Sequence, residues 1–154
     1  MQIRKVRVED AQPLTVLLQE IGWFELLKNE TLAAASRRVK SQLEHCLADN
    51  SHSIFVAETA DGAMAGYVSV HWLPYLFLPG SEGFVSELFV RDAARGQGIG
   101  RCLLQTVETE AQARGCSRLS LINFRNRESY QRRFYVKLGW EERIDAANFI
   151  YRIA

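Results

Sequence analysis

Phe84-Val85-Ser86-Glu87-Leu88-Phe89-Val90-Arg91-Asp92-Ala93-Ala94-Arg95-Gly96-Gln97-Gly98-Ile99-Gly100 is the stretch on which the fold turns. Its first seven residues are rich in β-branched and aromatic side chains, which suit a pleated, half-buried surface. Arg91 to Ala94 breaks that run, and three glycines follow at alternate positions. Beyond them Ile99, Leu103, Val107 and Ala111 recur every fourth residue, which predicts a helix with one buried face. Arg114-Gly115 supplies its stop. A strand, a glycine turn and a helix start together form an anion site. The first N–H groups of the helix lack partners, its dipole makes that end electropositive, and glycine lets a ligand approach the backbone. Phosphate is the usual occupant. The Walker pattern is excluded because no Gly-Lys-Ser/Thr is present, and the spacing is G-x-G-x-G, whereas the dinucleotide fingerprint is G-x-G-x-x-G.

Length and composition bound the remainder. A chain of 154 residues is one domain's worth, and 47% hydrophobic with 24% charged residues describes an ordinary globular protein. A formal charge of +1 gives no general attraction to nucleic acid or to an anionic membrane. Cys46, Cys102 and Cys116 are odd in number and lack metal-ligand spacing, so reduced thiols in a cytoplasmic protein are expected. The basic N-terminus runs into Glu9 and Asp10 instead of an apolar segment, and no signal peptide or membrane span is expected.

In chain order, Gln2 to Val8 predicts a first strand, and Asp10 a cap for a helix running to about Glu20. A second helix is expected from about Thr31 to Ala48, with Leu32, Ala35, Val39, Leu43 and Leu47 on one stripe. Ser53 to Glu58 and Met64 to Trp72 read as strands joined by Asp61-Gly62. Arg118 to Ile122 reads as a short strand, Tyr130 to Leu138 as a helix closed by Gly139, and Asn148 to Ile153 as a last strand. Mixed strands and helices of this kind imply an α/β (α+β) fold built around one sheet.

Arg95-x-x-Gly98-x-Gly100, shortly after Glu87-Leu88-Phe89-Val90, resembles the acetyl-CoA signature of the GNAT superfamily of N-acetyltransferases. Phe134-Tyr135-Val136-Lys137-Leu138-Gly139-Trp140 is similar to that family's Phe-Tyr-x-Lys-Leu-Gly-Phe motif, with Trp in the last place. The two motifs bracket residues 84 to 140, and residues 1 to 82 carry no specific motif. The resemblance implies one N-acetyltransferase domain over residues 1–154, with a mixed, mostly antiparallel sheet flanked by helices and splayed at the cofactor cleft. It implies that Arg95, Gly96, Gln97, Gly98, Ile99, Gly100 and Arg101 hold the CoA pyrophosphate, while the backbone of Leu88, Phe89 and Val90 meets the pantetheine arm and polarises the thioester carbonyl. Where the family often has an asparagine seven residues before the tyrosine, this chain has Glu128. A small insertion would pass that role to Asn123 or Asn126, and Asn126 is taken as the cofactor candidate.

Acetyl transfer to an amine needs a proton acceptor, because an alkyl ammonium has a pKa near ~10.4. Glu87 is the candidate base: under strict alternation it shares a face with Val85 and Phe89, where a carboxylate is costly unless paired or used. An ion pair with Arg95 or another arginine is the alternative. By resemblance Tyr135 is the general acid for the departing thiolate, the alternative being a core tyrosine with a satisfied hydroxyl. His71 ends a strand near the presumed cleft, where it either assists proton transfer or is structural. Arg125, Arg127, Arg132 and Arg133 either meet CoA phosphates or form a solvated face.

The expected function is therefore an acetyl-CoA-dependent N-acetyltransferase, acting by direct attack of a small-molecule or peptide amine in a ternary complex. No metal is expected and no cysteine is placed as a nucleophile. The alternative is a non-catalytic acyl-CoA-binding or regulatory module of the same fold. The apolar run Trp72 to Pro79 reads as a loop on the core, a lid over the acceptor, or a homodimer contact.

Overall fold

The computed structural model describes residues 1–153. The chain divides into two compact units, Met1–Ile122 and the remainder from Asn123. The first unit holds a five-stranded sheet in the order β1-β2-β3-β4-β5, formed by Gln2–Lys5, His52–Glu58, Met64–Leu73, Glu82–Val90 and Arg118–Leu121. The first four strands pair antiparallel and β5 lies parallel to β4, giving the mixed, mostly antiparallel sheet.

Helices cover both faces. Helix α1 (Ala11–Ile21) and α3 (Leu32–Leu47) close one face, where Leu14, Leu17 and Leu43 pack with Ile54, Val56 and Tyr67 in one apolar cluster. The short α2 (Glu25–Asn29) follows α1. Helix α4 (Ile99–Ala113) buries Ile99, Leu103, Leu104, Val107 and Ala111, the stripe read from its period. Arg114, just past its end, lies 4.8 Å over the ring of Trp72, which marks the opposite face.

Three local expectations are corrected. Strand β1 ends at Lys5 because Arg7 and Asp10 close a tight turn, with Asp10 N donating to the Arg7 carbonyl at 3.0 Å. Asp10 does not cap α1: its carboxylate takes two 2.8 Å bonds from Arg4 and one of 2.7 Å from Arg7 N. Between the two expected helices, where no element was expected, α2 forms, started after Gly22 takes a left-handed φ of 69°. Thr31 does cap α3, its Oγ1 accepting from Ala34 N at 3.2 Å, and Gly62 turns the β2–β3 hairpin at φ 82°.

Strand β4 is irregular at Ser86. Val70 faces Val85 but Ser69 faces Glu87, so Ser86 is an extra residue bulged out of the ladder. Pairing with β5 stops at Val85, opposite Leu121. Beyond that point, among the described residues, β4 has no strand on its β5 side. The splay expected from the resemblance thus begins at the bulge. The same extra residue overturns strict alternation: Val85 joins Val70 on the α4 face, while Glu87 and Phe89 lie opposite Ser69 and Tyr67 on the other.

In the second unit the expected helix from Tyr130 to Leu138 is broken. Helix α5 spans only Glu128–Gln131, and Arg133 takes the left-handed φ of 56°. Phe134 N donates to the Ser129 carbonyl and Arg133 N to that of Tyr130, a helix-ending pattern that normally wants glycine. A 3-10 turn over Val136–Leu138 ends the same way at Gly139, φ 88°. The expected final strand from Asn148 to Ile153 is not formed, and Phe149, Ile150, Tyr151 and Ile153 are exposed. Its apolar pattern suits a strand, but a strand exists only where a neighbour takes its backbone hydrogen bonds.

Candidate functional site

Glu87 keeps an exposed surface, yet enough protein crowds it that burial raises its carboxyl above the ordinary carboxylate range. A group with both properties is open to solvent on one side but poorly hydrated on the other. The expected ion pair is not formed. Arg95 instead pairs with Asp92 at 2.8 Å, and Glu87 Oε2 accepts from the Tyr67 hydroxyl at 3.1 Å. That bond favours the carboxylate and offsets part of the burial effect. Tyr67 is buried, and burial together with the Glu87 charge pushes its own hydroxyl well above 10, so it remains a donor at neutral pH. Sequence reasoning missed Tyr67, because only the register of β3 on β4 brings residues 67 and 87 together.

Two further groups extend the line along this face. Ser86 Oγ donates to the Ser69 carbonyl at 3.4 Å and shares a 2.9 Å hydrogen bond with His71 Nε2. His71 packs at 4.2 Å against His52 with the rings tilted by 60°, and burial first, then His52, lowers its pKa. His71 is therefore linked to the strand at Glu87 through the bulge residue Ser86. On the far side Phe89 meets Trp23, Phe24 and Tyr67, with ring centroids 5.6 to 5.8 Å away.

The glycine turn has the geometry its spacing predicted. Gly96 and Gly98 take φ of 77° and 78°, which glycine adopts without strain, and a Cβ on either would meet nothing within 4 Å. Open space lies directly over the backbone. Gly98 is the N-cap of α4 and provides no side-chain cap, so Ile99, Gly100 and Arg101 begin a helix whose first N–H groups are left for a ligand. Gln97 Nε2 reaches back to the Ala93 carbonyl at 3.5 Å. These residues fit the pyrophosphate of CoA. Beside them Leu88, Phe89 and Val90 occupy the part of β4 that lacks β5, where an extended arm can hydrogen-bond. Cys102 is half-buried on α4. Cys46 is likewise half-buried, and burial, then the charge of Glu87, raises its thiol. A raised thiol is a poor nucleophile.

Tyr135 belongs to the second unit, where Phe134 and Trp140 hold it edge-on at 5.0 and 6.0 Å. Burial pushes its hydroxyl up to about 12, against a smaller opposing effect of Arg132. Asn123 is engaged as acceptor of Ser129 Oγ at 2.9 Å, while Asn126 is exposed on a turn. Within the basic cluster Arg125 pairs with Glu142 at 2.8 Å and Arg132 lies 5.4 Å over Phe134. No group of three or more His, Cys, Asp or Glu that could hold a metal ion occurs among the described residues. No helix of the described residues is long and apolar enough to cross a membrane.

Comparison with known proteins fits this geometry. A sequence model of the acetyltransferase (GNAT) family matches residues 21–140, a span that runs through both units. An aminoalkylphosphonate N-acetyltransferase of Salmonella typhimurium is 30% identical over 92% of this chain and 85% of its own. A type 1 aminoglycoside N(6')-acetyltransferase of Stenotrophomonas maltophilia is 32% identical over 51% of this chain, which spans about half (54%) of that relative's length. In fold, a ribosomal-protein-alanine N-acetyltransferase of Brucella melitensis superposes with a TM-score of 0.75 at 22% identity, covering 99% of this chain and 100% of the other.

Proposed function

The chain belongs to the acetyltransferase (GNAT) family, and from that premise we propose that it is a single cytoplasmic acyltransferase domain moving an acetyl group from acetyl-CoA to a primary amine by direct attack. The observation that carries this reading is Glu87: a carboxylate with a raised pKa, bonded to Tyr67, on the strand that leads into an uncapped glycine-turn helix start. Acetyl-CoA supplies an acetyl thioester when bound. Residues 95–101 bind its pyrophosphate, and the open edge of β4 orients its arm, with a backbone N–H of Leu88 to Val90 answering the charge that builds on the carbonyl oxygen.

Glu87 takes the proton of the acceptor ammonium, directly or through one water. Its raised pKa makes it a stronger base than an ordinary carboxylate. Tyr135, protonated at neutral pH because its pKa stands at about 12, donates to the sulfur as the carbon–sulfur bond breaks. The aromatic contacts that hold Tyr135 support its being positioned, and Asn126 is assigned to the cofactor.

Thiol release from acetyl-CoA against a panel of amines tests the proposal. Glu87→Gln keeps shape and CoA binding but removes the base. Turnover falls roughly 10²–10⁴-fold at neutral pH and recovers as the medium deprotonates the amine. A wild-type rate and pH profile in that variant removes Glu87 from the mechanism. Tight CoA binding with no turnover of any amine replaces the enzyme with a non-catalytic acyl-CoA module.

A further inference from the structure

Past Val85, among the described residues, β4 is held to the sheet from one side alone. Its pairing with β5 ends opposite Leu121, while β3 stays beside it as far as Val90. The bulge falls at the first residue of that one-sided stretch, and a bulge is where a ladder is locally disrupted. The Ser86 side chain supplies two ties there. Its Oγ lies 2.9 Å from His71 Nε2 and 3.4 Å from the Ser69 carbonyl, and both partners belong to β3. A hydroxyl has one hydrogen and a carbonyl only accepts. Both contacts are satisfied together when Ser86 donates to Ser69 and His71 Nε2–H donates to Ser86. Ser86 is exposed, where a serine hydroxyl is ordinarily left to water.

His71 is a firm anchor for such a tie. It lies opposite His52 on β2 and Phe84 on β4, so its backbone has a strand on both sides. Its ring packs with centroids 4.2 Å from His52 and 6.3 Å from Phe84. His52 is held in turn by Ser51, with 2.7 Å between Nδ1 and Oγ. An imidazole packed in this way presents Nε2 as a fixed point. Among the described residues His71 hydrogen-bonds with Ser86 and not with Glu87, whose Oε2 accepts from Tyr67. Its influence on the site therefore runs through the shape of β4.

Resting on the acyl-transfer reading above, we propose that His71 is a positioning residue: through the Ser86 hydroxyl it fixes the bulge, and with it the placing of the Glu87 carboxylate and of the Leu88 to Val90 N–H groups that answer the thioester carbonyl. Glu87 follows Ser86 directly and Leu88 is next, so the backbone between tie and reacting groups is short. A misplacement of about 1 Å costs roughly 10²-fold in rate, which makes a small loosening of the bulge measurable. The Nε2 hydrogen stays on His71 throughout, and no proton of the reaction passes through the ring.

The test follows thiol release from acetyl-CoA with the best acceptor of the amine panel, in His71→Phe, Ser86→Ala and the double variant. Each single variant is expected to lower kcat about tenfold at every pH, with amine KM and CoA affinity changed less than about twofold. The double variant falls no further than either single one, because both remove the same tie. His71→Gln, whose amide nitrogen can still donate to Ser86, and Ser86→Thr, which keeps the hydroxyl, restore most of the rate. Losses that multiply in the double variant overturn the assignment. So does a loss that disappears as pH rises, which makes His71 a proton carrier, or an equal loss of kcat and CoA affinity. If no amine is turned over, amide hydrogen exchange decides the tie separately from the chemistry. Exchange at residues 86–90 that quickens about tenfold in both single variants, with β2 unchanged, supports it, and unaltered exchange there overturns it. Where His71→Phe lowers the thermal midpoint, Ser86→Ala carries the same comparisons from an exposed position.

Discussion

Replacing Tyr67 by Phe isolates the one bond that tunes Glu87. The ring is buried against Phe89 at 5.8 Å and phenylalanine fills nearly the same volume, so the change removes a single donor 3.1 Å from Oε2. A hydrogen bond to a charged group contributes roughly 1.5–3 kcal/mol when shielded. Glu87 is exposed on one side, so water replaces part of the bond, and about half of that range is the reasonable expectation. Half corresponds to about one pKa unit, since one unit is about 1.4 kcal/mol. The sign follows from which form the bond favours. Tyr67 stabilises the carboxylate, so its loss raises the Glu87 pKa further above its already raised position. In a pH profile of kcat with saturating amine, the acidic limb should move up by about one unit. Turnover then falls up to about tenfold below that limb and converges with wild type at high pH. A uniform loss at every pH would mean that the variant disturbs packing, and an unmoved limb would show that Glu87 is not the group being titrated.

Gly98→Val forces a branched residue into φ 78° at the cap of α4 and places methyl groups in the space above the turn. CoA affinity should weaken at least ~tenfold by calorimetry in a protein that still folds, because the turn is at the surface. Tyr135→Phe should lower turnover more than CoA affinity, and in wild type no fall in rate from Tyr135 ionisation is expected below pH 10, since its pKa stands at about 12. Equal losses in turnover and affinity would assign that side chain to packing.

The parts of this molecule legible in its sequence are those decided locally. Gly96 and Gly98 stand where φ is positive, a demand no other residue meets as cheaply, and the Ile99–Ala111 period is one helix face. Glu87 was visible as a carboxylate inside an apolar strand. Its surroundings were not, because the bulge at Ser86 is a mismatch of count between β3 and β4, and neither strand carries that count alone. Tyr67, the donor to Glu87, follows from the same register. Periodicity also misled between residues 130 and 138, where an arginine occupies a left-handed position that pattern reading reserves for glycine. The aromatic wall of Trp23 and Phe24 depended on α2 ending the loop where it does. Exposure of Tyr75, Leu76 and Phe77 removes the core-packed alternative for those three side chains, which sequence had left open beside the lid and the dimer contact.

The bulge carries a consequence for how such a strand tolerates change. Because Val85 pairs Val70 and Glu87 pairs Ser69, excising Ser86 would leave every remaining side chain on its present face of the sheet. No hydrophobic residue would be turned to water and the core would be undisturbed. What would vanish is the surplus length, stored as local twist and bend. A straightened β4 could continue alongside β5 past Leu121, taking up in a ladder the backbone groups now open to a ligand. The gap between two strands would thus be healed by the loss of one small residue, giving a better-knit sheet with nowhere for an acyl chain to enter.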